Sequence, residues 1–139
     1  MPAQHESLTL AEAKQMIAAA EAKAAGLGVA YNVAVVDSGG HLLAFVRQDG
    51  ALIGSIELAI NKAVTARLFD KSTAFLSELA QPGKPLFGIQ HSHSGRVVVF
   101  GGGIPAVVGD VIVGAIGTSA GTVEQDIAVA QAAIAALAR

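Results

Sequence analysis

The sequence predicts an α/β fold of the α+β kind, a largely antiparallel sheet with helices packed on it, in the order α-β-β-α-α-β-β-β-α. Three observations predict it. Apolar residues recur at helical spacing in four stretches. Short β-branched runs are separated by Asp/Gly turns, so neighbouring strands read as hairpins. No repeat, linker or compositional break divides the 139 residues, so 1–139 reads as one domain.

Thr9-Leu10-Ala11-Glu12 is a capping box, with Leu8 placed to staple onto Ala13. Leu10, Ala13, Ile17, Ala20 and Ala24 follow at helical spacing, and Gly26 is a stop signal, so the spacing predicts a helix over Thr9–Ala25. Val29–Val36 and His41–Arg47 flank Asp37-Ser38-Gly39-Gly40 and read as a hairpin. Ile53, Ile56, Ile60, Ala63, Val64 and Leu68 mark the buried side of a second helix. Glu57, Asn61, Lys62, Thr65 and Arg67 form its polar stripe. Ser72–Ala80 reads as a short helix capped by Ser72 or Thr73, with Phe75, Leu76 and Leu79 inward.

Gln81–Ser94 is the longest irregular stretch and ends in His91-Ser92-His93. Arg96–Phe100 is β-branched and aromatic, as a strand would be. Gly101-Gly102-Gly103 then bares the backbone, and a turn at Gly109-Asp110 leads into a strand over Val111–Thr118. Thr122–Ala138 is the closing helix, capped by Thr122 with Gln125 in the reciprocal position. Its expected inner stripe is Val123, Ile127, Ala130, Ile134 and Leu137.

Composition excludes several classes. Net charge is −2, which gives no electrostatic case for nucleic acid. No apolar run reaches transmembrane length, so no membrane partner is expected, and an N-terminus without a basic region or apolar core predicts a cytoplasmic protein. The absence of Cys removes disulfides, thiolate ligands and covalent c-type heme attachment. Only 14% of residues are charged, so apolar surface must be hidden between subunits, and a homo-oligomer is expected.

Four groups carry candidate chemistry. His91 and His93, at i and i+2, point to one side if the backbone is extended, as a metal or heme ligand pair would; otherwise they are solvated loop residues. Lys62 and Arg67, with Asn61 and Thr65 beside them, offer cations to a heme propionate or a small organic acid, or else form a solvated helix face. As an exposed residue, Lys62 would contribute little to folding. Glu124 and Asp126 lie in the first turn of the last helix, where acids complement the helix dipole; alternatively Glu124 serves as a general acid or base with Lys62 holding the substrate. The Gly101–Gly103 loop and the Thr118-Ser119 hydroxyls offer backbone N–H groups and oxygen donors, or simply turns and close packing. The expected pocket joins the Asn61-Lys62 side of the second helix, Gly101–Gly103 and the loop leading to Glu124.

Ser55-Ile56 with Asn61-Lys62-Ala63-Val64-Thr65-Ala66, Leu86-Phe87-Gly88-Ile89, Gly95-Arg96-Val97-Val98-Val99-Phe100-Gly101-Gly102-Gly103-Ile104-Pro105, and Gly114-Ala115-Ile116-Gly117 through Gly121-Thr122-Val123-Glu124-Gln125-Asp126 resemble the GlcG/HbpS family. This is the DUF336 or heme-degrading domain, found also at the C-terminus of PduO-type proteins, and the resemblance covers nearly the whole chain. It implies a profilin-like fold with an antiparallel sheet of about five strands, and assembly into dimers to octamers. Some members bind heme; others sit in operons for glycolate or diol use. The implied function is heme or tetrapyrrole binding in cofactor handling or sensing, with Asn61, Lys62, Arg67, His91, His93, Gly101, Gly102, Gly103 and Thr118 around the ligand. The alternative is an isomerase, lyase or hydrolase of an organic acid. Two departures stand out: Thr118 and Ala120 interrupt the family's Gly-Val-Ser-Gly-Gly-Thr, and the first helix lacks the His that PduO-type domains use as an axial ligand. An axial ligand here would be His, Tyr, Met or a weak oxygen donor such as Thr.

Overall fold

The computed structural model describes residues 1–137. Its first helix, α1 (Leu10–Leu27), starts as the capping box requires: the Glu12 N–H donates to Thr9 Oγ1 at 3.1 Å, and the Thr9 N–H donates to the Glu12 carboxylate at 2.9 Å. The helix runs through Gly26 and stops at Gly28, whose left-handed backbone (φ 72°) turns its N–H onto the Ala24 and Ala25 carbonyls. Strands β1 (Asn32–Asp37) and β2 (Leu42–Arg47) form the expected hairpin. Next come α2 (Ser55–Phe69), which ends at a left-handed Asp70, and α3 (Thr73–Leu79), capped by Ser72 Oγ. Two 3₁₀ turns, Ile89–His91 and His93–Gly95, precede β3 (Gly103–Val108), β4 (Val111–Ser119) and α4 (Val123–Ala135). Thr122 and Gln125 form the second capping box. Among the described residues no helix is long and apolar enough to cross a membrane.

Among the described residues the architecture is mixed α/β, with four α-helices and one antiparallel sheet of four strands in the order β2-β1-β4-β3. Val33, Val35 and Ile116 face α1 and α4, where Met16, Ala20, Val129, Ala130 and Ala133 close the larger core. Ala34, Val36 and Ala115 face α2 through Ala59, Ala63 and Ala66. These small side chains let α2 lie almost on the sheet. Gly117 faces it there, and a Cβ at that position would overlap the Ala59 carbonyl and lie 2.5 Å from the Ala63 nitrogen.

Four expectations are corrected. The sheet has four strands rather than about five, because Arg96–Phe100 does not join it. Val97 and Val98 are buried, but they pack against α2, and the Val98 N–H donates to Thr65 Oγ1 at 3.1 Å. Strand propensity reports fit to a half-buried surface, and α2 supplies that surface without a ladder. The polar stripe of α2 is only partly solvated: Glu57 is exposed and Ala63 and Val64 are buried as expected, but Asn61, Lys62 and Thr65 are buried too, and Leu68, with Ile53 just before the helix, is exposed. The buried line of α4 is Asp126, Val129, Ala130 and Ala133, with Val123 exposed. Phe75 of α3 is exposed, and Thr73 and Leu76 point inward instead. The predicted end of the closing helix at Ala138 lies outside the described residues.

The tight α2–sheet contact generates a paired prediction. Gly117→Ala should cost about 3 kcal/mol, because the added methyl meets backbone rather than movable side chains. Gly26→Ala, inside α1 with open space around its Cβ, should stabilise by about 1 kcal/mol. Urea midpoints at equal slope check both; a near-neutral Gly117→Ala would mean α2 sits further from the sheet.

Candidate functional site

Lys62 emerges from the sheet-facing side of α2 and is fully buried. Its ammonium donates to the Thr118 carbonyl at 2.9 Å and to Asp126 Oδ2 at 2.8 Å. The other Asp126 oxygen, Oδ1, accepts from the Tyr31 hydroxyl at 2.7 Å and from the Gly121 N–H at 2.8 Å. Thr118 Oγ1 donates to the Asp126 carbonyl at 2.6 Å, so the first turn of α4 is fixed from both its side chain and its backbone. The local reason is the α4 cap. With Thr122 at the N-cap, Asp126 falls one turn into the helix and points at the end of β4 rather than at solvent.

Burial sets the electrostatics. Loss of solvation pulls the Lys62 pKa down, and the hydrogen bond and charge of Asp126 pull it partly back. Loss of solvation pushes the Tyr31 pKa well up, and its hydrogen bond to Asp126 adds to the rise, so the phenol stays protonated. Two charges removed from water cost several kcal/mol each, and the cost is offset only when the remaining lone pairs and protons find partners. Here both carboxylate oxygens are doubly or singly hydrogen-bonded, and two ammonium hydrogens meet oxygen. The third side of the ammonium faces the Phe100 ring, 4.9 Å from its centroid.

Glycines make room for this arrangement. Gly102 has φ 127°, and a Cβ there would come within 2.8 Å of Lys62 Nζ and 2.6 Å of the Thr118 carbonyl. Gly101 to Gly103 are all buried, and the Gly103 N–H is taken by Thr73 Oγ1 at 2.9 Å. The glycine run therefore leaves room for the packing of Lys62 and α4.

Beyond Phe100 lies a cavity of about 440 Å³, between α2 and the segment leading to β3. Leu58, Val97, Val98, Val99 and Phe100 form its apolar wall. Glu57, Asn61 and Gln90 supply its polar edge. Of the expected site residues, the structure brings together Lys62, Gly102 and Thr118, with Asn61 one position away on the cavity wall. Gly101 and Gly103 flank the same point, Gly103 against the Lys62 carbonyl and Gly101 against Ile127 of α4, whereas the remaining side chains lie apart. Arg67 donates to the Ser38 carbonyl and to Asp70, beside a second cavity with Gln4, His5 and Glu6. Glu124 is exposed on the outer side of α4. His91 and His93 are exposed, and the 3₁₀ turns replace the extended backbone that would have aligned them. His93 packs edge-on against Phe69 and hydrogen-bonds Ser92, whereas His91 follows directly on Gln90 of the cavity wall. No group of three or more His, Asp or Glu able to hold a metal occurs among the described residues.

Sequence reasoning missed Tyr31, Asp126 and Phe100. Asp126 was in view only as a complement to the helix dipole. Tyr31, the one Tyr of the chain, at the edge of an apolar strand, was the signal for a buried hydroxyl in need of a partner.

The fold and site thus define a small mixed α/β domain with a buried polar hub at the inner end of an open, largely apolar cavity. The chain belongs to the family described as haem degrading protein HbpS-like, whose model matches residues 8–135. It is 41% identical over 128 residues to a 15.0 kDa protein of the dhaT-dhaS intergenic region of Citrobacter freundii, covering 92% of this chain and 90% of that one. The structure is similar to Klebsiella pneumoniae protein ORFY, a DUF336 structure, with TM-score 0.96 and 40% identity over 98% of this chain and 94% of that one. It is also similar to a PduOC:heme complex, with TM-score 0.90 and 39% identity over 94% of both chains.

The buried hydroxyl generates a prediction with a definite sign. A group whose folded pKa is raised contributes stability that is present below its unfolded pKa, about 10 for Tyr. That stability is lost as pH rises towards the folded value. Absorbance at 295 nm should therefore show no tyrosinate in the native protein at pH 10.5, while the urea-unfolded chain titrates near 10. Native ionisation near pH 10 would place the Tyr31 hydroxyl in solvent.

Proposed function

We propose that this chain binds a tetrapyrrole, heme among them, in the cavity between α2 and residues 89–100, and acts in cofactor handling or sensing. The observation that carries this reading is the match to the PduOC:heme complex over 94% of both chains, on a fold that carries an open apolar cavity. The residues present suit the group. Leu58, Val97, Val98, Val99 and Phe100 offer the apolar surface a flat macrocycle needs. Arg96, exposed between the cavity residues Gly95 and Val97, is the cation for a propionate. Lys62 is withdrawn from that role by its pairing with Asp126. α1 carries no His, so an imidazole for iron comes from the 89–95 loop, and His91 is the better placed of the two. Heme, when bound, supplies redox-active iron; the chain supplies a dry wall and a charged rim.

We further propose a homo-oligomer. Leu52 and Ile53, adjacent in the chain, are 64% and 77% exposed and Phe87 is 59% exposed, and contiguous exposed apolar surface is what a subunit interface covers. Leu52 and Ile53 directly precede Gly54 of the cavity wall, so the assembly face would border the ligand.

Hemin titration followed by light scattering tests both. The expected result is a Soret shift saturating near one hemin per chain, on a particle heavier than a monomer. His91→Ala should abolish the shift and leave the urea midpoint unchanged, since the side chain is exposed. A parent protein whose spectrum equals that of free hemin would refute tetrapyrrole binding.

A further inference from the structure

The Lys62 ammonium has three N–H bonds. Two are taken by the Thr118 carbonyl and Asp126 Oδ2. Among the described residues no oxygen takes the third; the Phe100 ring lies on that side instead. Phe100 also lines the cavity and is 37% exposed, so one ring is both the end wall of the cavity and the cover of the ammonium. Phe100 belongs to no strand; its segment is held two residues to either side, where the Val98 N–H donates to Thr65 Oγ1 and the Gly102 carbonyl accepts from the Thr118 N–H, so the ring itself is the part that moves. A ring face is a weaker partner for a charged donor than an oxygen lone pair. A ligand oxygen that displaces the ring therefore improves on the contact it replaces.

Charge decides which oxygen. Asp126 already balances Lys62, so the pair is neutral as it stands. A carboxylate on the third N–H would leave a net negative charge in a buried site, a costly state. The one charged side chain lining the cavity is Glu57, which adds to the penalty for an anion. A neutral acceptor meets the open donor without either cost. We propose that the inner end of the cavity is a subsite for a neutral carbonyl oxygen of an apolar ligand, a ketone, amide or lactam. That oxygen accepts from Lys62 once Phe100 swings aside. The proposal rests on the cavity being the ligand site, and it reverses the sequence-based expectation that Lys62 holds a carboxylate.

The test observes the Lys62 ammonium directly. Lys14, Lys23, Lys71 and Lys84 are exposed, so the slowly exchanging ammonium in a ¹⁵N-lysine spectrum is that of Lys62. In the free protein its protons should be shifted upfield by the Phe100 ring, and in Phe100→Ala that shift should be gone. Millimolar caprolactam should move the parent signal downfield and saturate; cyclohexanecarboxylate, of similar size, should move it at least tenfold less at equal concentration. A larger effect of the carboxylate overturns the proposal, as does an ammonium signal unchanged by Phe100→Ala. Methyl signals of Leu58 and Val97–Val99 are read in the same titration, and again with hemin. If caprolactam or hemin moves those methyls while caprolactam leaves Lys62 untouched, the cavity binds ligand and the carbonyl subsite is wrong. If hemin moves none of them, the tetrapyrrole site fails on its own evidence.

Discussion

The ion pair between Lys62 and Asp126, 2.8 Å long and closed to water, is the contact on which the arrangement of this molecule depends. It joins the middle of α2 to the first turn of α4 across the end of β4. Through Tyr31 it reaches the residue preceding β1. Elements from both faces of the sheet thus meet at one point, and the sheet end cannot shift without breaking a charged contact. Such a pair is a poor source of net stability, because desolvating two ions nearly cancels their attraction. Its effect is specificity: α4 has one angular setting in which Asp126 finds Lys62, Tyr31 and the Gly121 N–H together. That setting explains why α4 buries Asp126, Val129, Ala130 and Ala133 and leaves Val123 outside.

The small residues follow from the same constraint. Lys62 reaches Thr118 only because α2 lies close to the sheet, over Ala59, Ala63 and Gly117. Gly102 leaves the space its ammonium fills. With α2 so near, residues 97–100 pack on the helix instead of extending the sheet, and the gap between that segment and α2 is the cavity. Site and fold therefore share one cause. The apolar wall opens onto the cavity because it lies outside the sheet, and Phe100 sits over the ammonium because the segment passes there.

Much of this was legible in the residues. Both capping boxes, the β1–β2 hairpin and the Gly109-Asp110 turn rest on local chemistry that short sequence spans encode. What failed was the side of a helix. Asn61, Lys62 and Thr65 read as a solvated stripe because long polar side chains usually are solvated. Only partners distant in the chain, Asp126 and Thr118 for Lys62 and the Val98 N–H for Thr65, make their burial tolerable. Arg96–Phe100 was misjudged for a related reason: β-branched content predicts a surface to pack on without saying which. Lys62, Gly102 and Thr118 do converge, as a buried hub in which Asp126 is the paired acid, while Glu124 is exposed on the outer side of α4. The likeness to the GlcG/HbpS family placed the chain correctly, yet could not tell which cations were free to meet a ligand.

A double-mutant cycle on Lys62→Met and Asp126→Asn, read by urea denaturation, addresses the hub most directly. Each single change leaves one buried group without its counterpart. If the pair organises the fold, each should cost about 3–5 kcal/mol. The double variant should then cost less than the sum by about 2–3 kcal/mol, the coupling expected of groups in one network. Single variants that lose under about 1 kcal/mol each and add without coupling would contradict it, and would mean that the two charges are solvated and α4 is held by its apolar side alone.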